Sequence, residues 1–202
     1  SDKMAVEASV HALTLFLIFL MLQITFPRRS HHPRAFVREA CKVTKYQTLC
    51  IKSLSRYSRI AKKSPTKWAH AGVFTAHRYA ESLNRYLRSI DRDDLIEGDS
   101  GVAISDCVDL VDDALEKLHS SVGVLTNFSR IDFESQITDL TTWIGTALAN
   151  KKTCWEGLNE RERVGENSTE TIAKVRRSVS KAGQMTSNAL TLLLRLTKNS
   201  DK

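Results

Sequence analysis

Ser105-Asp-Cys-Val-Asp-Leu-Val-Asp-Asp-Ala-Leu-Glu-Lys-Leu-His119 is the stretch that decides the reading of this chain. Val108, Val111, Leu115, Leu118 and Val122 recur at steps of three and four, the spacing of an apolar stripe along one helix face. Asp106, Asp109, Asp113 and Glu116 also recur at helical spacing and gather about half a turn away from that stripe. The apolar stripe must face a core, which leaves the acidic one outward. A solvated surface accounts for most such charged faces. On a chain that is basic overall, the same face also predicts a docking surface for a basic partner.

A second helical stretch, Leu140-Thr-Thr-Trp-Ile-Gly-Thr-Ala-Leu-Ala-Asn-Lys-Lys-Thr-Cys-Trp155, carries another cysteine. With a turn centred near residue 128, Cys107 and Cys154 of two antiparallel helices come within ~8 Å of level at ~1.5 Å rise per residue. Helix tilt and loop asymmetry absorb that difference. Four cysteines allow three pairings. The spacing favours a local bridge, Cys41 to Cys50, closing a small helical hairpin, and a distant one, Cys107 to Cys154, clamping neighbouring helices. The distant bridge closes the longer loop, for roughly 3–4 kcal/mol on the chain-entropy account.

The remaining segments read as further helices. Ser64-Pro65 is an N-cap followed by proline at the first helical position, and Ala69, Val73, Ala76, Ala80, Leu83, Leu87 and Ile90 share one face after it. Glu97 to Gly101 reads as a turn and cap, and a loop rich in Ser, Gly, Thr and Asn is expected over 120–131. A third helix from about Asp132 turns Phe133, Ile137, Leu140, Ile144, Ala147 and Leu148 inward. A polar connector follows over Gly157 to Asn167. A last helix, from Asn167 or Ser168, repeats Ile172, Val175, Val179, Ala182, Ala189, Leu193 and Leu196 at nearly heptad spacing. Four long helices joined by short loops predict an all-α fold, an up-down-up-down four-helix bundle.

Composition narrows the function. At 202 residues with 8 Gly and 3 Pro, the chain is long enough for one domain with a real core and poor in turn-formers. Ala12 to Phe26 is uncharged and apolar, short for a membrane span and suited to a signal peptide over residues 1–30. Glu7, and the lack of a small-x-small site before Pro27, leave an uncleaved anchor as the alternative. Paired cysteines and the sequons at Asn127 and Asn167 favour a secreted glycoprotein. The net charge is +7. Its lysines and arginines read as scattered, without aromatics interleaved, which argues against nucleic acid. His31 and His32 read as linker rather than metal ligands, and His70 and His77 as rim residues. The chain shows no nucleophile–base pair, metal-ligand spacing or phosphate loop, so an enzyme is the least expected class.

Several motifs in order carry a resemblance. They are the hydrophobic leader, the close pair ending Thr44-x-Tyr-x-x-Leu-Cys50, Cys107-x-x-x-x-Asp-Asp-Ala, Asp139-Leu-Thr-Thr-Trp143, Ala147-Leu-Ala-Asn-x-x-Thr-Cys154, and Ser187-Asn-Ala-Leu190. Together, over about residues 36–197, the chain resembles the plant invertase/pectin methylesterase inhibitor family. The resemblance implies a disulfide-stabilised four-helix bundle with a small N-terminal helical hairpin, secreted to the apoplast and cell wall. It implies no cofactor, no metal, and occlusion of a target enzyme's active-site cleft in a one-to-one complex.

Invertase-directed members resemble one another in a Pro-Lys-Phe motif before the last helix, which is absent from Glu156 to Glu166 here. Pectin methylesterase inhibitors are the better likeness. By that resemblance Asp109, Asp113 and Glu116 on one helix, and Thr153 and Glu156 flanking the last cysteine, are expected to contact the esterase. Asn150-Lys-Lys152 departs from the pattern beside them. Two other readings stay open: the pro-region of an esterase precursor, and a wall bundle whose body, +6 without residues 1–30, binds anionic pectin weakly.

Overall fold

The computed structural model describes residues 14–16, 33–92, 98–163 and 170–200. The chain divides into two units, Ser1–His32 and Pro33–Lys202. In the first, residues 14–16 are helical, with Leu15 and Phe16 exposed; the rest of the leader expected over 1–30 lies outside the described residues. The second unit holds α1 (Pro33–Cys41), α2 (Gln47–Leu54), a 3-10 turn (Ser55–Tyr57), α3 (Ser58–Ala61), α4 (Pro65–Arg92), α5 (Gly98–Thr126), α6 (Phe133–Arg163) and α7 (Glu170–Ser200). There is no strand among the described residues.

The four long helices form the expected bundle. Each packs against two neighbours, in the order α4–α5–α6–α7 and back to α4. The α4 start is where the capping signal put it: the Ser64 hydroxyl accepts the Lys67 amide at 3.3 Å, and Pro65 opens the helix. Gly98, at a φ of 69°, turns the chain into α5 in a conformation that favours glycine. At Gly72 a Cβ would lie 3.1 Å from Leu192 and 3.3 Å from the Ala189 backbone, so its absence lets α4 approach α7 closely.

Two loops are shorter than expected. The segment over 120–131 is helical as far as Thr126, because Ser121 and Leu125 face the core. The Ser121 hydroxyl donates to the Lys117 carbonyl at 2.8 Å, so a turn-forming residue is satisfied inside a helix. The connector from Gly157 is likewise helical to Arg163, with Leu158 buried in the core. Tertiary burial overrides local propensity in both places. The segment 164–169 lies outside the described residues, and with it Asn167.

The small hairpin, α1 to α3, leans on α4 and α7. Cys41 and Cys50 are bonded with Cα atoms 5.7 Å apart. The Thr44 hydroxyl donates to the Cys41 carbonyl at 2.8 Å. Asn188 of α7 accepts the Tyr46 amide at 3.1 Å and donates to its carbonyl at 2.9 Å, closing both backbone groups of the turn.

The core also holds a charged residue that no apolar pattern announces. Lys151 is 1% exposed on the inward face of α6, level with the gap between the two apolar clusters of the bundle. Ala80, Ala114, Ala147 and Ala182 border that gap, and small side chains there leave room for a long one. Its Nζ donates to the Ala147 carbonyl at 3.3 Å, one acceptor for three donors. Burial pushes its ammonium down from 10.5 to about 7. The folded value lies below the unfolded one, so the unfolded chain binds the extra proton between the two. Stability therefore rises with pH from about 7 to 10.5 and stays on its lower plateau below that window.

Lys151→Met should fill the same space without the ammonium and stabilise the bundle by on the order of 1–4 kcal/mol near pH 6. Thermal unfolding of both proteins across pH checks this. The gap between them should close as pH approaches about 10, and a gap that stays constant would show that the ammonium is not its origin.

Candidate functional site

The acidic face is positioned by the α5–α6 crosslink. Cys107 and Cys154 are bonded with Cα atoms 4.9 Å apart. This sets the register of the two helices so that Asp106, Asp109 and Thr153 line one shallow cleft of about 410 Å³ over the disulfide. Asp109 is exposed and Thr153 stands across the seam, its hydroxyl donating to the Ala149 carbonyl at 3.2 Å. Asp109 and Thr153, distant in sequence, are therefore brought to one place.

Asp113, one turn further along α5, is built differently from the expected free carboxylate. It is half-buried and accepts a 2.6 Å hydrogen bond from Asn150 of α6, with Lys117 at 3.4 Å. Helical phase explains this: Asp113 lies on the flank of the acidic stripe that turns toward α6, whereas Asp109, at the rim of the cleft, and Glu116 lie nearer the middle of the outward face and are exposed. Asn150, in the departure from the family pattern, is thus a brace between helices. Glu116 is exposed, and Glu156 is exposed with Lys152 at 3.4 Å on its own helix.

The charge balance along this seam is uneven. Asp112, on the opposite flank of the stripe, is held by Arg88 and Asn84 of α4. Asp106, Asp109 and Glu116 have no ion pair among the described residues. Asp106 belongs to the cleft although the resemblance did not single it out; its place in the acidic repeat was the available signal. Asn127, the sequon inside the described region, is exposed in the turn between α5 and α6.

The histidines lie elsewhere. His77 of α4 stacks obliquely on His119 of α5 with ring centres 5.6 Å apart. Burial holds His77 below its ordinary value, helped by His119, Arg78 and Lys151 and opposed by Glu81. His70 is likewise held down by burial and lies 3.3 Å from the Thr126 hydroxyl. No group of three or more His, Cys, Asp or Glu among the described residues could hold a metal. No helix among them is long and apolar enough to cross a membrane.

The two carboxylates differ in structural duty. Asp113→Ala strands the Asn150 amide and should lower stability by roughly 1–3 kcal/mol, whereas Asp109→Ala should stay within about 0.5 kcal/mol. Urea unfolding of the two variants reads the difference; equal midpoints would mean that the Asp113–Asn150 brace carries no weight.

The profile of the plant invertase/pectin methylesterase inhibitor family matches residues 35–192. Pectinesterase inhibitor 6 of Arabidopsis thaliana is 35% identical over 161 residues, which cover 80% of this chain and 75% of that protein. Pectinesterase inhibitor 10 of the same plant is 29% identical over 78% of this chain and 50% of its own length. A crystallised mutant of an Arabidopsis pectin methylesterase inhibitor superposes with a TM-score of 0.60 at 18% identity, covering 76% of this chain and 92% of that one. The chain belongs to the plant invertase/pectin methylesterase inhibitor family, a family of inhibitor proteins rather than enzymes.

Proposed function

We propose that this protein inhibits a pectin methylesterase by seating the α5–α6 seam over the enzyme's active-site cleft, one inhibitor to one enzyme, in the cell wall. The observation that carries the reading is Asp109, exposed and uncompensated beside Thr153 on a disulfide-locked edge, with Glu116 exposed and uncompensated two turns further along α5. Nothing on the inhibitor needs to react. A rigid two-helix edge excludes substrate by occupying the cleft, and its carboxylates steer it to a basic rim.

Rigidity matters because binding otherwise spends energy on ordering the surface. The Cys107–Cys154 bridge and the Asp113–Asn150 bond order this edge before the encounter. Asp113 therefore serves by positioning, while Asp109, Glu116, Thr153 and Glu156 are the groups offered to the esterase. Family membership alone leaves invertase as the competing target. The relatives' names and the uncompensated carboxylates favour the esterase. The expected weak association with anionic pectin falls to a different surface, the N-terminal hairpin.

Titration of the purified protein against a plant pectin methylesterase and a plant acid invertase, side by side, tests the assignment. Tight stoichiometric inhibition of the esterase alone is expected. Asp109→Lys should weaken it by roughly 2–5 kcal/mol if the carboxylate meets a desolvated cation, tenfold for each ~1.4 kcal/mol. Asp91→Lys on α4 makes the same change in charge on another exposed site and should matter far less. Unaltered inhibition by Asp109→Lys would return the acidic face to ordinary solvated surface.

A further inference from the structure

The basic residues are segregated rather than scattered. Residues 33–67 hold ten lysines and arginines and one acid, a net charge of +9 that exceeds the +7 of the whole chain. Residues 68–200, the bundle itself, carry a net −3. All ten cations are exposed. None of them forms an ion pair among the described residues, and the single acid, Glu39, already faces Arg195 of α7 at 3.9 Å. So dense an array of like charge repels itself. Folding does nothing to relieve it, so its use lies with an outside anion.

We propose that the α1–α3 hairpin is a binding surface for de-esterified polyuronide, the carboxylate-bearing polymer that a pectin methylesterase leaves behind. The identity of this polymer rests on the function proposed above; the cationic surface does not. Demethylation converts neutral esters into a row of carboxylates along a flexible chain. A flexible polyanion can follow cations spread over several faces of a small module. Binding of this kind gains from counterion release and weakens as salt rises.

The array is also stiff. The Cys41–Cys50 bond, the Thr44 bond to Cys41 and the Asn188 clamp on Tyr46 fix the turn. The Trp68 indole donates to the Lys62 carbonyl at 2.9 Å and ties the hairpin's end to α4. Lys45 and Arg56 sit over the neighbouring rings of Tyr46 and Tyr57, each 5.5 Å from the ring centre. Those rings are half-buried, so they offer no stacking platform for unpaired bases. Val43 and Ile60 are isolated exposed apolar residues, not the continuous apolar face that enters a lipid interface. A polymer of spaced carboxylates fits these features better than nucleic acid or membrane.

Placement gives the surface its consequence. The hairpin rests on α4 and α7, whereas the acidic seam belongs to α5 and α6 on the other edge of the bundle. Both faces can be occupied together. An inhibitor held on freshly made carboxylates sits at raised local concentration where esterase has just acted, which is an avidity gain without any new contact to the enzyme. Inhibition then tracks product.

The test measures polymer binding without enzyme. Full-length protein is titrated with polygalacturonate and with highly methyl-esterified pectin, over a salt series. A variant combining Lys42→Gln, Lys52→Gln, Arg59→Gln and Lys63→Gln removes four exposed charges whose side chains have no hydrogen bond or ion pair among the described residues. The wild type should prefer polygalacturonate and lose affinity with salt. The variant should bind on the order of a hundredfold more weakly, with a shallower salt slope, while keeping wild-type helicity and inhibition of esterase in dilute solution. Equal binding of the two polymers, or equal binding by variant and wild type, overturns the proposal. So does tighter binding to anionic phospholipid vesicles or duplex DNA than to polygalacturonate. If the wild type binds polygalacturonate but inhibits no esterase, the hairpin surface stands and only the reading of the α5–α6 seam falls.

Discussion

One covalent link sets the terms for the rest of the bundle: Cys107 to Cys154. Helix pairs packed by apolar stripes alone can slide by a turn, because successive turns of Val, Leu and Ala present similar knobs. A bridge from the first half of α5 to the second half of α6 removes that freedom. It sets Asp109 opposite Thr153, Asp113 opposite Asn150, and Ala114 near Ala147 in the core. It also holds together the level of Lys151, where a charged side chain is buried in the interior. The link that orders the outward face thus also compensates for a weak layer inside.

The outline of the fold could be read directly because α7 and α4 obey their periodicity. Every α7 position expected inward, from Ile172 to Leu196, is buried, and so is every one of the α4 set from Ala69 to Ile90. The misjudged regions share a cause. Ser121, Gly123 and Thr126 look like a loop in composition, yet Leu125 buries and draws the segment into α5. Leu158 does the same for the polar end of α6. In both cases one apolar side chain, meeting a core that the local window does not see, outweighs several residues of weak helix propensity.

The site was legible in part, and its gaps follow from geometry. A periodic stripe shows which residues leave the core, but not which flank of the stripe meets a neighbour. Asp113 and Asp109 are equivalent along the sequence and unlike in the fold, one braced by Asn150 and one free at the cleft. Asn150 was visible only as a departure from a family pattern, and its role needed the opposing helix. Lys151 was harder still, since lysine is rarely placed fully inside and nothing beside it in sequence marks it. The cations of residues 33–67 were missed differently. Averaged over the chain they are an ordinary basic composition; gathered on the disulfide-closed hairpin and its junction with α4 they are a surface.

These features describe a molecule with opposed charge at two edges. The bundle is mildly acidic and presents carboxylates from α5; the hairpin is strongly basic and sits on α4 and α7. Were the two charges interleaved, they would pair and cancel, as Glu81 does with Arg78 and Arg85 on α4. Separation keeps both available. It also settles why the hairpin is stapled so thoroughly despite its size. A helix of eight residues is unstable alone, and seven exposed cations on the three-helix module, with three more where it joins α4, make it less stable still. The Cys41–Cys50 bond, the buried Thr44 and the two-point clamp of Asn188 hold in place a module that its own charge would drive apart.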